Sequence, residues 1–169
     1  VLTGLIYPVV VHAGWNTGGM FSAWRYGSEL EGDECKVGDC EEDDVNLFMG
    51  CGVTDFAGSG VVHMTGGVAA LVAAAVTGPR VGAFEGNGLP QQSVIFQTLG
   101  TLILWMGWYC FNGVSTLYIA NYSGVAAHTM CTTTISAATG SLTNVLLGYL
   151  LTHVIDPSLA NNGILAGLV

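Results

Sequence analysis

The sequence predicts an all-α fold, a polytopic bundle of transmembrane helices. Three observations carry that prediction. Only 9% of the 169 residues are charged, where a soluble domain carries about a quarter. The mean hydropathy is +0.57, and the apolar residues gather in runs long enough to cross a bilayer. Glycine is frequent, at 25 residues, and small side chains let helix backbones approach closely inside a membrane.

The net charge of −9 disfavours nucleic acid and anionic lipid headgroups as partners. That charge is local. Nine of the twelve acidic residues (Glu29, Glu31, Asp33, Glu34, Asp39, Glu41, Glu42, Asp43 and Asp44) form one run, and the rest of the chain is almost uncharged.

Taken in order, the chain opens inside an apolar run, Val1 to Val11, read as part of a partial helix over 1–20. No basic region precedes an apolar stretch, so no cleaved signal peptide is expected. The acidic loop follows over 27–53. A first complete span is expected over 55–77, the segment DFAGSGVVHMTGGVAALVAAAVT, and a second over 94–119. A third, over 124–153, is rich in Thr and Ser and must bury its polar face against other helices. The Gly/Pro segment Gly78 to Pro90 and a tight turn at Asn121-Tyr122-Ser123 separate the spans, and Asp156-Pro157 marks a further break. A last partial helix, 160–169, ends in the apolar run Gly163-Ile-Leu-Ala-Gly-Leu-Val169. Both termini are therefore expected to be truncations. No repeat or low-complexity tract is present.

Arg80, alone after a span, is expected on the cytoplasmic side by the positive-inside rule, which places the acidic loop with Arg25 and Lys36 outside. A disulfide between Cys35 and Cys40 is permitted there, with Cys51 just beyond. Cys110 and Cys131 fall within spans and read as small packing residues.

Two groups of residues could carry chemistry. His63 lies eight positions after Asp55, about 12 Å along a helix starting there, near the middle of a bilayer roughly 30 Å thick. An ionisable group at that depth is a functional candidate, and a core histidine satisfied by one neighbouring helix is the competing reading. Asp55 precedes the helix, where its side chain can cap free N–H groups and also attract a cation. In Trp105-Met-Gly-Trp108-Tyr-Cys-Phe111-Asn112-Gly-Val-Ser115, Phe111 and Ser115 are four apart and share a helix face, with Trp108 one turn away. An aromatic ring with a polar group above it can gate a pocket; a lipid-facing or core stripe is the plainer alternative. Trp15 reads by default as an interface anchor.

Together these residues resemble the Amt/MEP/Rh ammonium transporter superfamily. Asp55-Phe-Ala-Gly-Ser-Gly-Val-Val-His63 is similar to its signature. Gly78-Pro-Arg80, Gly107-Trp-Tyr-Cys-Phe-Asn112 and Ala126-Ala-His-Thr-Met-Cys-Thr-Thr-Thr follow in family order, and Tyr7-Pro-Val-Val-Val-His-Ala-Gly-Trp15 resembles the end of the preceding helix. The resemblance covers nearly the whole chain and points to the Amt branch, eukaryotic or plant-like. It implies an eleven-helix fold in two inverted halves, trimeric, with one pore per subunit, of which this chain runs from late in the fourth helix to early in the eighth.

By position, the resemblance makes Trp15 and Ser115 part of an outer ammonium site, where an aromatic face can hold a cation. Phe111 becomes the inner ring of a paired phenyl gate, His63 the first of two pore histidines, and Asp55 an acid near the pore mouth. Trp108 and Asn112, inside the matching motif, join the pore set. The implied function is ammonium transport through an integral, multi-pass protein of the plasma membrane, with ammonium shedding its proton before an apolar pore. Ammonium or ammonia, the lipid bilayer and a homotrimer are the implied partners, and no cofactor is implied. The acidic loop departs from the family in length and charge and is read as solvated and partly disordered; a cation funnel there would be screened within about 8–10 Å. Two other readings stand beside transport: an ammonium sensor on the same scaffold, and a pigment- or haem-binding membrane protein using His63, His128 or His153. No nucleophile, base and oxyanion donor group together, so an enzyme is not expected.

Overall fold

The computed structural model describes residues 1–23, 48–84 and 91–169. The acidic run, with Arg25, Lys36, Cys35 and Cys40, lies outside the described residues, as does the end of the Gly/Pro segment. The described residues are helical, with no strand among them and one isolated parallel bridge, Ser22 to Val53. The chain divides into two compact units, Val1–Gly78 and Pro79–Val169.

In the first unit, α1 (Leu2–Trp15) starts with a wide turn over Leu2–Ile6, where the Tyr7 N–H donates to the Leu2 carbonyl. Pro8 accounts for it. Proline lacks an N–H, and its ring crowds the carbonyl four residues back, which opens the preceding turn. The helix stops at Trp15, short of the expected residue 20, because Asn16 is extended and its Oδ1 accepts from the Gly18 N–H at 2.7 Å. The chain then doubles back, with the Phe21 N–H donating to the Ala13 carbonyl at 3.0 Å. The two flanks of the acidic segment are clasped: the Val53 N–H donates to the Phe21 carbonyl at 2.7 Å, the Ala23 N–H to the Val53 carbonyl at 3.3 Å, and Phe21 meets Phe48 edge-on with centroids 5.1 Å apart. Helix α2 (Ser59–Thr77) ends at Gly78, whose φ of +76° is open to glycine without strain.

In the second unit, the Ser93 Oγ caps α3 (Val94–Val114) by accepting from the Phe96 N–H at 3.3 Å. Helix α4 (Ile119–Thr152) and α5 (Pro157–Leu168) follow. The break between α3 and α4 falls at residues 115–118, not at Asn121-Tyr122-Ser123. Ser115 and Thr116 turn their hydroxyls onto the Phe111 and Gly113 carbonyls, satisfying acceptors freed at the helix end, and Leu117 takes the left-handed conformation at φ +63°. Tyr122 leaves only a local distortion inside α4, at φ −120°. The break at Asp156-Pro157 stands where expected, with Asp156 Oδ1 accepting from the Ser158 N–H at 2.8 Å and Pro157 in the first turn of α5.

Glycines set the contact between α4 and α5. A Cβ on Gly163 would lie 2.8 Å from the Ser141 Cα, and one on Gly167 2.8 Å from the Ala137 Cα. Side-chain amides add cross-links: Asn144 donates to the Leu159 carbonyl at 2.7 Å and Asn161 to the Thr98 Oγ1 at 3.1 Å. Outward, the helices are apolar: Leu71 is 70% exposed, Ile95 80% and Leu142 71%. Among the described residues three helices, α2, α3 and α4, are long and apolar enough to cross a membrane. An apolar exterior around a polar, small-residue seam is the arrangement a bilayer selects. The chain is part of a polytopic membrane helix bundle.

Gly167→Ala in the full-length protein is expected to overpack the α4–α5 seam and destabilise it by about 1–3 kcal/mol, read as a lower melting temperature in detergent. An unchanged melting temperature would show that the helices do not approach this closely.

Candidate functional site

Asp55 organises the candidate residues of the first unit. Its Oδ1 accepts from the Gly58 N–H at 2.9 Å, and its Oδ2 from the Gly60 N–H at 3.1 Å and the Val61 N–H at 2.7 Å. A carboxylate receiving three backbone donors at a helix start is a charge-assisted cap. A carboxylate offers about four acceptor positions, so most of its capacity is committed to the fold. Because Asp55 caps the helix from outside, α2 begins at Ser59 and not at 55. His63 is then the fifth of nineteen residues, about 6 Å along the helix instead of the expected 12 Å.

The turn that carries His63 is wide. Its N–H donates to the Gly58 carbonyl, five residues back, at 2.9 Å, and the Val62 N–H shares that acceptor at 2.9 Å. The next bond repeats the pattern, with the Thr65 N–H reaching the Gly60 carbonyl. Such π-type turns are rare in helices and recur at functional sites. Gly58 makes the entry possible: its φ is +98°, and a Cβ there would lie 2.6 Å from the Val62 Cγ2. Trp15 closes the arrangement by donating its Nε1–H to the Asp55 carbonyl at 2.7 Å. Trp15, Asp55 and His63 therefore belong to one local assembly, with Trp15 still 36% exposed and His63 half-buried.

The second unit carries its own candidate residues on α3. Ser115 sits four residues beyond Phe111 on the same face, and its hydroxyl donates to the Phe111 carbonyl at 2.7 Å. Trp108 stacks one turn before, its ring centroid 6.3 Å from that of Phe111 and tilted by 57°. Asn112 turns inward. It is buried, and its Nδ2 donates to the Thr133 Oγ1 at 3.0 Å and to the Leu168 carbonyl at 3.1 Å, tying α3 to both α4 and α5. Tyr109 Oη pairs with Thr134 Oγ1 at 2.8 Å on the same seam. Sequence reasoning did not single out Gly14, Gly58, Val61 or Thr133, which hold these arrangements. The signal for Gly58 was a glycine three residues after a capping Asp; a contact such as Gly14 against Val61 leaves no local signature.

No group of three His, Cys, Asp or Glu side chains among the described residues is placed to hold a metal ion.

The sequence model of the Ammonium Transporter Family matches residues 1–169. The chain belongs to the ammonium transporter family. It is 40% identical to ammonium transporter 1 member 2 of Arabidopsis thaliana, over 98% of this chain and 32% of that protein. The rice protein of the same designation (Oryza sativa subsp. japonica) is 38% identical over 98% of this chain and 33% of its own length. The archaeal ammonium transporter Amt2 of Archaeoglobus fulgidus is 35% identical over the whole of this chain and 33% of that protein. The chain thus spans about a third of the length of the curated relatives it matches. No solved structure matches it.

Asp55→Ala is expected to remove the cap and destabilise the full-length protein by about 1–2 kcal/mol, lowering both the yield of folded protein and its melting temperature. Asp55→Asn keeps one acceptor oxygen and should fall between the two. Wild-type yield and melting in Asp55→Ala would show that the carboxylate does not stabilise the helix start.

Proposed function

We propose that the full-length protein conducts ammonium across the plasma membrane as ammonia plus a separately handled proton, and that it does so as a homotrimer. The observation that carries this reading is the imidazole of His63, held by a capped wide turn in a helix made mostly of Gly, Ala and Val, in a chain whose relatives are named ammonium transporters.

On this reading the indole face of Trp15 offers ammonium a cation–π contact worth about 0.5–2 kcal/mol depending on desolvation, and the Ser115 hydroxyl oxygen offers it a hydrogen-bond acceptor. A bare cation cannot enter an apolar passage without losing its hydration, so the proton is given up before the gate. Ammonia then passes the ring of Phe111, backed by Trp108, and meets the His63 ring nitrogens, which can donate to or accept from it in turn. Asp55 contributes its negative charge and the geometry of the turn, with little capacity left for direct coordination. Asn112 serves as the strut that fixes the α3 face bearing Phe111, since both hydrogens of its amide are engaged elsewhere.

In a host lacking its own ammonium transporters, His63→Ala should abolish or alter ammonium-dependent growth and current while surface trimer stays near wild type, because losing a half-buried imidazole costs only about 1–2 kcal/mol. Normal selectivity and rate in that variant would return His63 to packing. Ammonium binding by the wild-type protein without flux would replace transport by sensing.

A further inference from the structure

We infer that Gly14 and Val61 are positioning residues for His63, acting by holding its turn wide. This rests on the reading that His63 takes part in transport.

In an uninterrupted α-helix the His63 N–H would bond to residue 59; here it bonds to Gly58 at 2.9 Å. Adding one residue to a turn moves every later side chain around the axis by up to about one residue's step, roughly 100°. The face on which His63 lies is therefore decided by whether this turn stays wide. Hydrogen bonding within the helix does not favour the wide form, which is why such turns are rare. Something outside the turn must hold it.

Three contacts do so, one from the cap of α2 and two from α1. The Asp55 carboxylate fixes the N–H groups of Gly58, Gly60 and Val61. The Trp15 Nε1–H is bonded to the carbonyl of the same Asp55. Between them, α1 touches the turn itself: Gly14 is buried, Val61 is 6% exposed, and a Cβ on Gly14 would stand 2.7 Å from the Val61 Cγ2. That gap admits a hydrogen and no methyl group. Val61 lies two residues before His63, inside the widened segment, so a displacement of its side chain that rotation about χ1 does not absorb is passed to the backbone that orients the imidazole. The cap holds the start of the turn, and the Gly14–Val61 contact holds its middle.

The test uses full-length protein in the transporter-deficient host, with current normalised to surface protein. Gly14→Ala should lower maximal transport per molecule by about ten- to a hundredfold, the scale expected for displacing an acting group by up to 1 Å. It should also alter the pH profile of transport while leaving the ammonium concentration for half-maximal current near wild type. Val61→Ala alone, which removes the other side of the contact, should show a milder defect of the same kind. Gly14→Ala combined with Val61→Ala adds one methyl group on α1 and removes both γ-methyls it would meet, Cγ2 among them, and should restore transport. Loss of surface protein with wild-type transport per remaining molecule would reduce the pair to packing. A raised half-maximal concentration at unchanged maximal current would place the effect at Trp15 instead, and failure of the double variant to recover would break the link between the two residues. Each of these overturns the proposal. His63→Ala, run alongside, separates the premise from the inference: normal transport there removes the premise, whereas impaired transport there with wild-type behaviour in Gly14→Ala removes only the positioning role.

Discussion

A bilayer core holds no water to hydrogen-bond a polar group, so each such group in a membrane helix must find its partner within protein. Much of this chain follows from that requirement. Helix α4 carries hydroxyls along much of its length, and those turned outward fold back on their own helix: Thr129 onto the Val125 carbonyl, Thr132 onto Thr129, and Thr139 onto Ile135. The hydroxyls and amides turned inward pair across helices, as Asn112 does with Thr133 and Asn161 with Thr98. Polar side chains thus join the helices to one another, while the faces left outside are apolar.

The same requirement explains why backbone irregularities are so well supplied with partners. The wide turn before His63 leaves N–H groups that an α-helix start would also leave, and one carboxylate takes three of them. At the end of α3 the freed carbonyls of Phe111 and Gly113 are taken by the hydroxyls of Ser115 and Thr116. Ser115 can therefore be both a structural cap and a group near a substrate, because a hydroxyl that donates once keeps its oxygen lone pairs as acceptors.

Composition and apolar run length made the fold class and the number of spans legible, since a charge-poor chain with long apolar runs has few other ways to fold. The family motifs made the candidate site legible as a set of positions. What stayed hidden was local. Asp55 was read both as a cap and as the head of the span, and the two roles exclude each other: as a cap it lies outside the helix, which starts four residues later and places His63 nearer the helix end. Leu117 adopts a left-handed conformation uncommon for a branched residue, so the turn near 121–123 was inferred from Asn and Ser, which favour such conformations, and missed. The wide turn is only partly marked locally, by Gly58 after the capping Asp55, because the contact of Gly14 with Val61 joins residues more than forty positions apart.

The clasp between Phe21, Ser22 and Val53 has a bearing on where the chain accepts an insertion. The backbone bonds across it fix the geometry of α1 and α2 on the helical side of the junction. The entropic charge for closing a segment rises only logarithmically with its length, about 0.6 kcal/mol per doubling. Doubling or halving the length of chain between residues 23 and 48 therefore changes the cost of closing the clasp by only about that amount. The junction is on that ground a place to insert an affinity or fluorescent tag into this protein.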